Sequence, residues 1–201
     1  MKLYHSQYTR SARARWMLEE TGSPYDLEQI VLSKGQHKTP EYLAVHPHGV
    51  VPAFVDGDLK MMESSAIVMH LADKFPEKRL APALGSNERA TYYSWMVYVP
   101  ATMDPVLETL TLHTKLLPEE KRSPAVVEAQ KKRLHAIAKV VEEAIGGREF
   151  IVGKSFTAAD LVMTSAIGWM GFIGVLADHP KLIAYSAVHC ARPAYVRAHA
   201  D

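Results

Sequence analysis

The sequence predicts a small α/β domain followed by an all-helical one. Strand-type and helix-type periodicity alternate from Lys2 to Phe75, a Pro-rich polar stretch follows, and beyond it strand signals fade. There apolar residues recur at intervals of three and four, as on one face of a helix.

"KLYHS" is a short β-type run, and "RSARARWMLEETG" follows with helical spacing and a terminal Gly22. "YDLEQIVL" alternates as a half-buried strand does. In "TPEYLAV", Thr39 suits an N-cap, Pro40 the first helical position and Glu41 the first turn. "PAFVDGDLKMM" reads as two short strands around Asp56-Gly57, a favoured hairpin dipeptide. "ESSAIVMHLADKF" places Ile67, His70, Leu71 and Phe75 on one helical face. The expected order over residues 1–76 is β-α-β-α-β-β-α, with 77–86 as a linker and 87–201 helical.

In the helical part, Leu134, Ile137, Val141 and Ile145 form an apolar stripe that Gly146-Gly147 ends. "SFTAADLVM" opens another helix, with Thr157 as N-cap and Asp160 three residues on, an acidic variant of the capping box. Pro193 in "RPAYVRAHA" stands near a further helix start.

Composition limits the function classes. With 201 residues, 48% hydrophobic and 22% charged, the chain has the make-up of a soluble globular protein of one large or two small domains. Its 23 basic and 22 acidic residues leave a net charge of +1, so there is no electrostatic case for nucleic acid or an anionic membrane. "MKLYHSQY" lacks the apolar core of a secretory signal, and the run Ala166–Ala177 is broken by three glycines and too short to span a bilayer. The single cysteine, Cys190, excludes an intramolecular disulfide and fits a reducing compartment. A cytoplasmic location is expected.

The stretch "HPHGVVPAFVDGDLKMMESSAI" carries the chemistry of interest. Pro52 cannot donate to a β ladder, so it is either a plain strand-entry proline or, if its peptide bond is cis, a device that turns the backbone of Val51 outward toward a peptide ligand. Glu63 and Ser64 open a helix, where orphan N–H groups and the positive dipole end attract an anion. Either they are simple caps, or Ser64 takes a carboxylate and Glu63 an ammonium group of an α-amino-acid head. His37 and Lys38 offer a cation for a second carboxylate, or are solvated loop residues. His46 and His48 are rejected as a metal pair, because zinc needs three or four ligands and no nearby cluster completes the set.

At the N-terminus, Thr9, Arg10 and Ser11 lie between a strand and a helix, where hydroxyls, a cation and helix N–H groups would lower the pKa of a bound thiol. Thr9 as a mere N-cap is the alternative. Tyr4 on the preceding strand offers a phenol donor or simple packing.

Together, "HKTPEYLAVHPHGVVPAFVDGDLKMMESSAI", "FTAADLVMTSAIGW" and "RPAYVRA" resemble the cytosolic glutathione transferases, notably the plant phi class and bacterial theta- and beta-like relatives, over essentially the whole chain. The sequence departs at His46, where Asn is frequent, and at Val50, where Gln or Lys is common. The resemblance implies a thioredoxin-like domain joined to a helical one, generally as a homodimer, with glutathione as co-substrate and no metal. It implies that Pro52 is the cis-proline, that Val51 with Val50 beside it pairs with the cysteinyl unit, that Glu63 and Ser64 bind the γ-glutamyl head, and that His37 and Lys38 hold the glycyl carboxylate. Asp160 matches an acidic cap that stabilises the helical domain.

For the activating group, the family's S-x-x-x-R pattern lands on Thr9 and Arg13, and an S-R-S pattern on Thr9, Arg10 and Ser11. The beta-class cysteine falls on Arg10 and is absent, while the alpha- and mu-class tyrosine falls on Tyr4. The expected activity is conjugation of the glutathione thiolate to an apolar electrophile, as in detoxification. Thr9 and Ser11 serve as donors, Arg10 supports them and Tyr4 is the rival. Tyr92, Trp95, Tyr98 and Met103 are expected to wall an acceptor pocket between the domains. The alternatives are a non-catalytic glutathione- or ligand-binding module, glutathione-dependent isomerase, peroxidase, reductase or dehalogenase chemistry, and a structural role of the borrowed fold.

Overall fold

Strand β1 (Lys2–His5) lies inside a four-stranded sheet of order β2-β1-β3-β4, with β2 at Asp26–Gln29, β3 at Ala53–Asp56 and β4 at Leu59–Met61. The computed structural model describes residues 1–200. β2 runs parallel to β1, which requires a crossover, and helix α1 (Ser11–Thr21) supplies it. β3 and β4 complete the sheet antiparallel. Helices α2 (Pro40–Leu43) and α3 (Ser64–Lys74) fall in the order read from the sequence, giving a thioredoxin-like arrangement.

Alternation along the strands assigns the two faces. Leu3 stands opposite Phe54 and both are fully buried, on the face covered by Ala14, Met17 and Leu18 of α1 and Ile67, Val68 and Leu71 of α3. Each of these side chains larger than alanine contributes about 1.5–3 kcal/mol by leaving water. Tyr4 stands opposite Ala53 on the other face, in a smaller cluster with Ile30 and Tyr42. The β3–β4 turn is displaced by one residue from the expected Asp56-Gly57: its central residues are Gly57-Asp58, because Asp56 still pairs with Leu59 and Gly57 carries the positive φ of +59°.

The described residues divide into two units, 1–81 with 192–200, and 82–191. The chain's last helix, α9 (Pro193–Ala198), therefore groups with the first unit, not with the helical domain in which the sequence placed it. The reason is local chemistry on α1. Arg192 donates to both carboxylate oxygens of Glu20 (2.7 and 2.8 Å), Arg197 reaches Glu19 (2.8 Å), and Tyr195 packs edge-on against the buried Trp16 (centroids 4.8 Å).

The second unit holds α4 (Asn87–Tyr98), α5 (Asp104–Thr111), α6 (Pro124–Ile145), α7 (Ala158–Phe172) and α8 (Pro180–Cys190). A π-helical turn at Val99–Met103 joins α4 to α5, and Pro100 within it lacks the N–H that an α-helix would use. The stripe Leu134, Ile137, Val141 and Ile145 is buried, and Gly146 ends α6. The expected capping box is present at α7: fully buried Asp160 accepts from the backbone N–H groups of Ile151 (2.7 Å) and Thr157 (2.8 Å), the Thr157 hydroxyl (3.1 Å) and the Tyr185 phenol (2.6 Å). Burial and the Asp160 charge push the Tyr185 phenol far above its usual range, so it acts only as a donor. No helix among the described residues is long and apolar enough to cross a membrane.

Candidate functional site

Strand register gathers the candidate residues at one end of the sheet. Tyr4 pairs with Ala53 and Phe54 with Met61, so continuing both ladders by a residue or two brings His5, Pro52 and Glu63 level. The loop carrying Thr9 thus leaves β1 where Val51 and Pro52 enter β3 and where Glu63 opens α3.

The Val51–Pro52 peptide bond is cis. Among the described residues the backbone N–H and C=O of Val51 take no part in any hydrogen bond, although they lie beside a sheet. Neighbouring groups hold this segment in place. The Tyr42 hydroxyl, its pKa pushed up to about 12 chiefly by burial, donates to the Val50 carbonyl at 2.6 Å. Tyr42 is itself placed by α2, whose N-cap Thr39 accepts from the Tyr42 N–H, as read from the sequence. The ring of His46 stacks near Tyr42 (centroids 6.4 Å, 12° between planes), and burial, with the nearby His48, holds its imidazole below the usual range. Lys38 donates to the His48 carbonyl at 3.0 Å, which ties the Gln36–Lys38 turn to the "HPHG" loop.

Glu63 has φ +71° and ψ +109°, a backbone conformation that L residues rarely adopt. Its side chain is exposed and makes no capping bond. Ser64 is buried, and its hydroxyl likewise has no hydrogen bond among the described residues. The capping role weighed for this pair is therefore unfilled, while the free N–H groups of the first turn of α3 remain beside a carboxylate and a hydroxyl. Ser65 Oγ, His37 Nδ1 and His46 Nδ1 are further buried polar atoms without a protein partner. Such atoms cost about 1–3 kcal/mol each unless something else satisfies them.

At the β1–α1 loop the residues divide differently from expectation. Thr9 is half-buried and its hydroxyl lies 2.7 Å from the Ser6 carbonyl and 2.6 Å from Ser11 Oγ. Ser11 is fully buried, its hydroxyl hydrogen-bonded to His5 Nδ1 (2.8 Å), which leaves it no exposed surface. Arg10 is exposed at the N-cap position of α1 and makes no side-chain cap bond. Tyr4 packs edge-on against Tyr42 (5.4 Å) on the sheet face opposite His5, away from the Thr9 hydroxyl. In the second unit Tyr92 and Met103 are fully buried core residues, which leaves them no surface to wall a pocket. Trp95 and Tyr98 stay partly exposed on α4, edge-on at 5.1 Å.

Sequence reasoning passed over His5, Ser6, Tyr42 and Tyr8. His5 was visible only as a polar residue on the buried phase of β1, next after Leu3 in the alternation. Tyr8 is 98% exposed with φ +58° beside Thr9, and no periodicity announces such a residue.

Comparison with known proteins shows the family. Residues 1–73 match the family model for the glutathione S-transferase N-terminal domain, and 124–188 the model for the C-terminal domain. Glutathione S-transferase F13 of Arabidopsis thaliana is 30% identical over 98% of this chain and 94% of its own length. A probable glutathione S-transferase, GSTF2, of Oryza sativa is 31% identical over 96% and 93%. Among solved structures, a glutathione transferase family member from Pseudomonas fluorescens with two glutathiones bound superposes with TM-score 0.91 at 27% identity, covering 98% of this chain and 91% of that one. A sphingomonad glutathione S-transferase complexed with glutathione gives 0.87 at 26% identity, covering 100% and 98%. On these matches, which span both halves of the sequence, the chain belongs to the glutathione S-transferase family.

Proposed function

We propose that this protein is an active glutathione transferase that binds glutathione as its thiolate and conjugates it to an electrophilic, apolar acceptor. The observation that carries the reading is the gathering of complementary free groups at one end of the sheet. The unpaired backbone of Val51 offers strand-like pairing to the cysteinyl unit. The carboxylate of Glu63, the hydroxyl of Ser64 and the first N–H groups of α3 suit the ammonium and carboxylate of the γ-glutamyl head. We assign His37 and Lys38 to the glycyl carboxylate, and Thr9, whose residue is half-buried, to the sulfur.

A free thiol with pKa near 8.5 is only a few per cent ionised at neutral pH. A downward shift of about two units, worth roughly 2.7 kcal/mol, makes most of it thiolate. The rest of the rate comes from holding the thiolate and acceptor together. Trp95 and Tyr98 are the acceptor contacts we favour, since they keep exposed surface. Assembly as a homodimer and a role in detoxification belong to the same proposal.

One observation favours a second reading, a glutathione-binding module without transfer activity. The hydrogen of Thr9 has two protein acceptors within 2.7 Å and need not point at a ligand. Ultraviolet difference titration of bound glutathione, with turnover of an activated chloronitrobenzene, separates the two. A depressed thiol pKa that Thr9→Ala abolishes, together with turnover, supports the transferase. Binding with a solution-like thiol pKa and no turnover moves the assignment to the binding module. Absence of binding overturns the assignments of Val51, Glu63 and Ser64.

A further inference from the structure

His5 is a buried titratable residue that the reading above leaves unused, and it is joined to the candidate activating group by a continuous run of hydrogen bonds. It is 2% exposed on the α1-facing side of β1, with Nδ1 2.8 Å from Ser11 Oγ. Ser11 Oγ is in turn 2.6 Å from Thr9 Oγ1. Backbone groups frame the run. The Ser6 N–H donates to Ser11 Oγ (3.1 Å), the Ser11 N–H donates to Thr9 Oγ1 (3.2 Å), and the Ser6 carbonyl lies 2.7 Å from Thr9 Oγ1 and 3.0 Å from Ser11 Oγ.

Each hydroxyl has one hydrogen and two lone pairs, so these contacts cannot all be made together. Suppose His5 Nδ1 is bare. Ser11 then donates to it, and its oxygen, already accepting from the Ser6 N–H, has a lone pair left for the Thr9 hydrogen. The Thr9 hydrogen then has two inward acceptors, Ser11 Oγ at 2.6 Å and the Ser6 carbonyl at 2.7 Å, both of which a ligand must displace. Suppose instead that Nδ1 carries the hydrogen. It fills the second lone pair of Ser11 Oγ, which can no longer accept from Thr9 and must itself donate, with Thr9 Oγ1 as its nearest acceptor. The Thr9 hydrogen is then contested only by the neutral Ser6 carbonyl and an arriving thiolate, and the charged acceptor makes the stronger bond.

We propose that His5 is a positioning residue that, with its hydrogen on Nδ1, sets the direction of the run His5 to Ser11 to Thr9 and so aims the Thr9 hydroxyl at the glutathione sulfur. The proposal rests on the transferase reading given above. It also gives a role to the fully buried hydroxyl of Ser11.

The test is the thiol pKa of bound glutathione by ultraviolet difference spectra in the wild type, His5→Leu, His5→Asn and Ser11→Ala, with glutathione affinity measured by calorimetry below the thiol pKa. Leu removes the donor, whereas the Asn side-chain N–H stands where Nδ1–H does. We expect His5→Leu and Ser11→Ala to raise the bound thiol pKa by about one unit, a roughly tenfold fall in thiolate at fixed pH. Affinity for the neutral thiol form stays within about twofold, and His5→Asn keeps the wild-type value. A wild-type thiol pKa in His5→Leu, or an Asn variant that behaves as Leu does, overturns the proposal while leaving the transferase reading intact. Should His5→Leu not fold, Ser11→Ala cuts the same run at its centre, and an unshifted thiol there overturns it equally. An unshifted thiol in the wild type overturns the transferase reading and this proposal with it.

Discussion

The backbone carbonyl of His37 occupies the space in which a Cβ on residue 49 would stand, so Gly49 is what lets the "HPHG" loop close against the Gln36–Lys38 turn. Gly49 also has φ +56°, which a side chain would strain by a further 1–2 kcal/mol or so.

Gly49→Ala is therefore expected to lower unfolding stability by at least about 2 kcal/mol in urea titration. It should also weaken glutathione binding about tenfold or more, because Lys38 and the Val50–Pro52 segment cannot hold their relative places. Glutathione affinity unchanged in a folded variant would show that the loop does not contribute to the site.

Glu63→Gly separates a ligand role from a capping role. Relief of the unusual backbone conformation at φ +71° and the added freedom of glycine in the unfolded chain oppose each other at about 1 kcal/mol apiece. Stability should stay within about 1 kcal/mol of wild type, while glutathione affinity falls at least about tenfold with the ammonium partner gone. A large stability loss with unchanged affinity would return Glu63 to the role of helix cap.

Asp160→Asn replaces one acceptor oxygen by an NH₂ group facing the Thr157 N–H, or else facing Ile151 and Tyr185. Two buried donors then confront each other. We expect a loss of about 2–4 kcal/mol in the unfolding free energy, with the bound-thiol pKa unaltered.

The docking of α9 should depend on acidity. Burial alone would raise the Glu19 carboxyl, but hydrogen bonds from Arg197 and Tyr25 outweigh it and hold the group below its ordinary value of 4.5. A depressed carboxyl stabilises the folded state fully above its unfolded value, and the contribution fades as pH falls through the lower, folded value. Amide protection of Pro193–Ala198, corrected for intrinsic exchange, should drop below about pH 4.5 and lose that dependence in Glu19→Gln. Protection that is flat with pH in the wild type would contradict this account.

The elements legible in the sequence are those in which a local rule and the tertiary context agree. Thr39, Pro40 and Glu41 start α2, Thr157 and Asp160 cap α7, and the Leu134 to Ile145 stripe is buried. The β3–β4 turn moved by one residue because Asp56-Gly57 and Gly57-Asp58 are both acceptable turn pairs, and pairing across the strands decided between them. Ser11 looked like a ligand donor because a hydroxyl near a helix start carries no mark of burial; the run to His5 depends on which face of β1 packs on α1. Tyr92 and Met103 were expected as pocket walls beside Trp95 and Tyr98, and only packing distinguishes core from surface there.

The return of α9 to α1 has a consequence for biosynthesis. Residues 1–81 leave the ribosome with Trp16 uncovered and Glu19 and Glu20 without their arginines, because residues 192–200 are made only after the whole of the second unit. At about 5–20 residues per second, that interval is on the order of ten seconds. During it the first unit lacks the segment that covers Trp16, and a nascent chain stalled anywhere before Arg192 leaves that surface of α1 open.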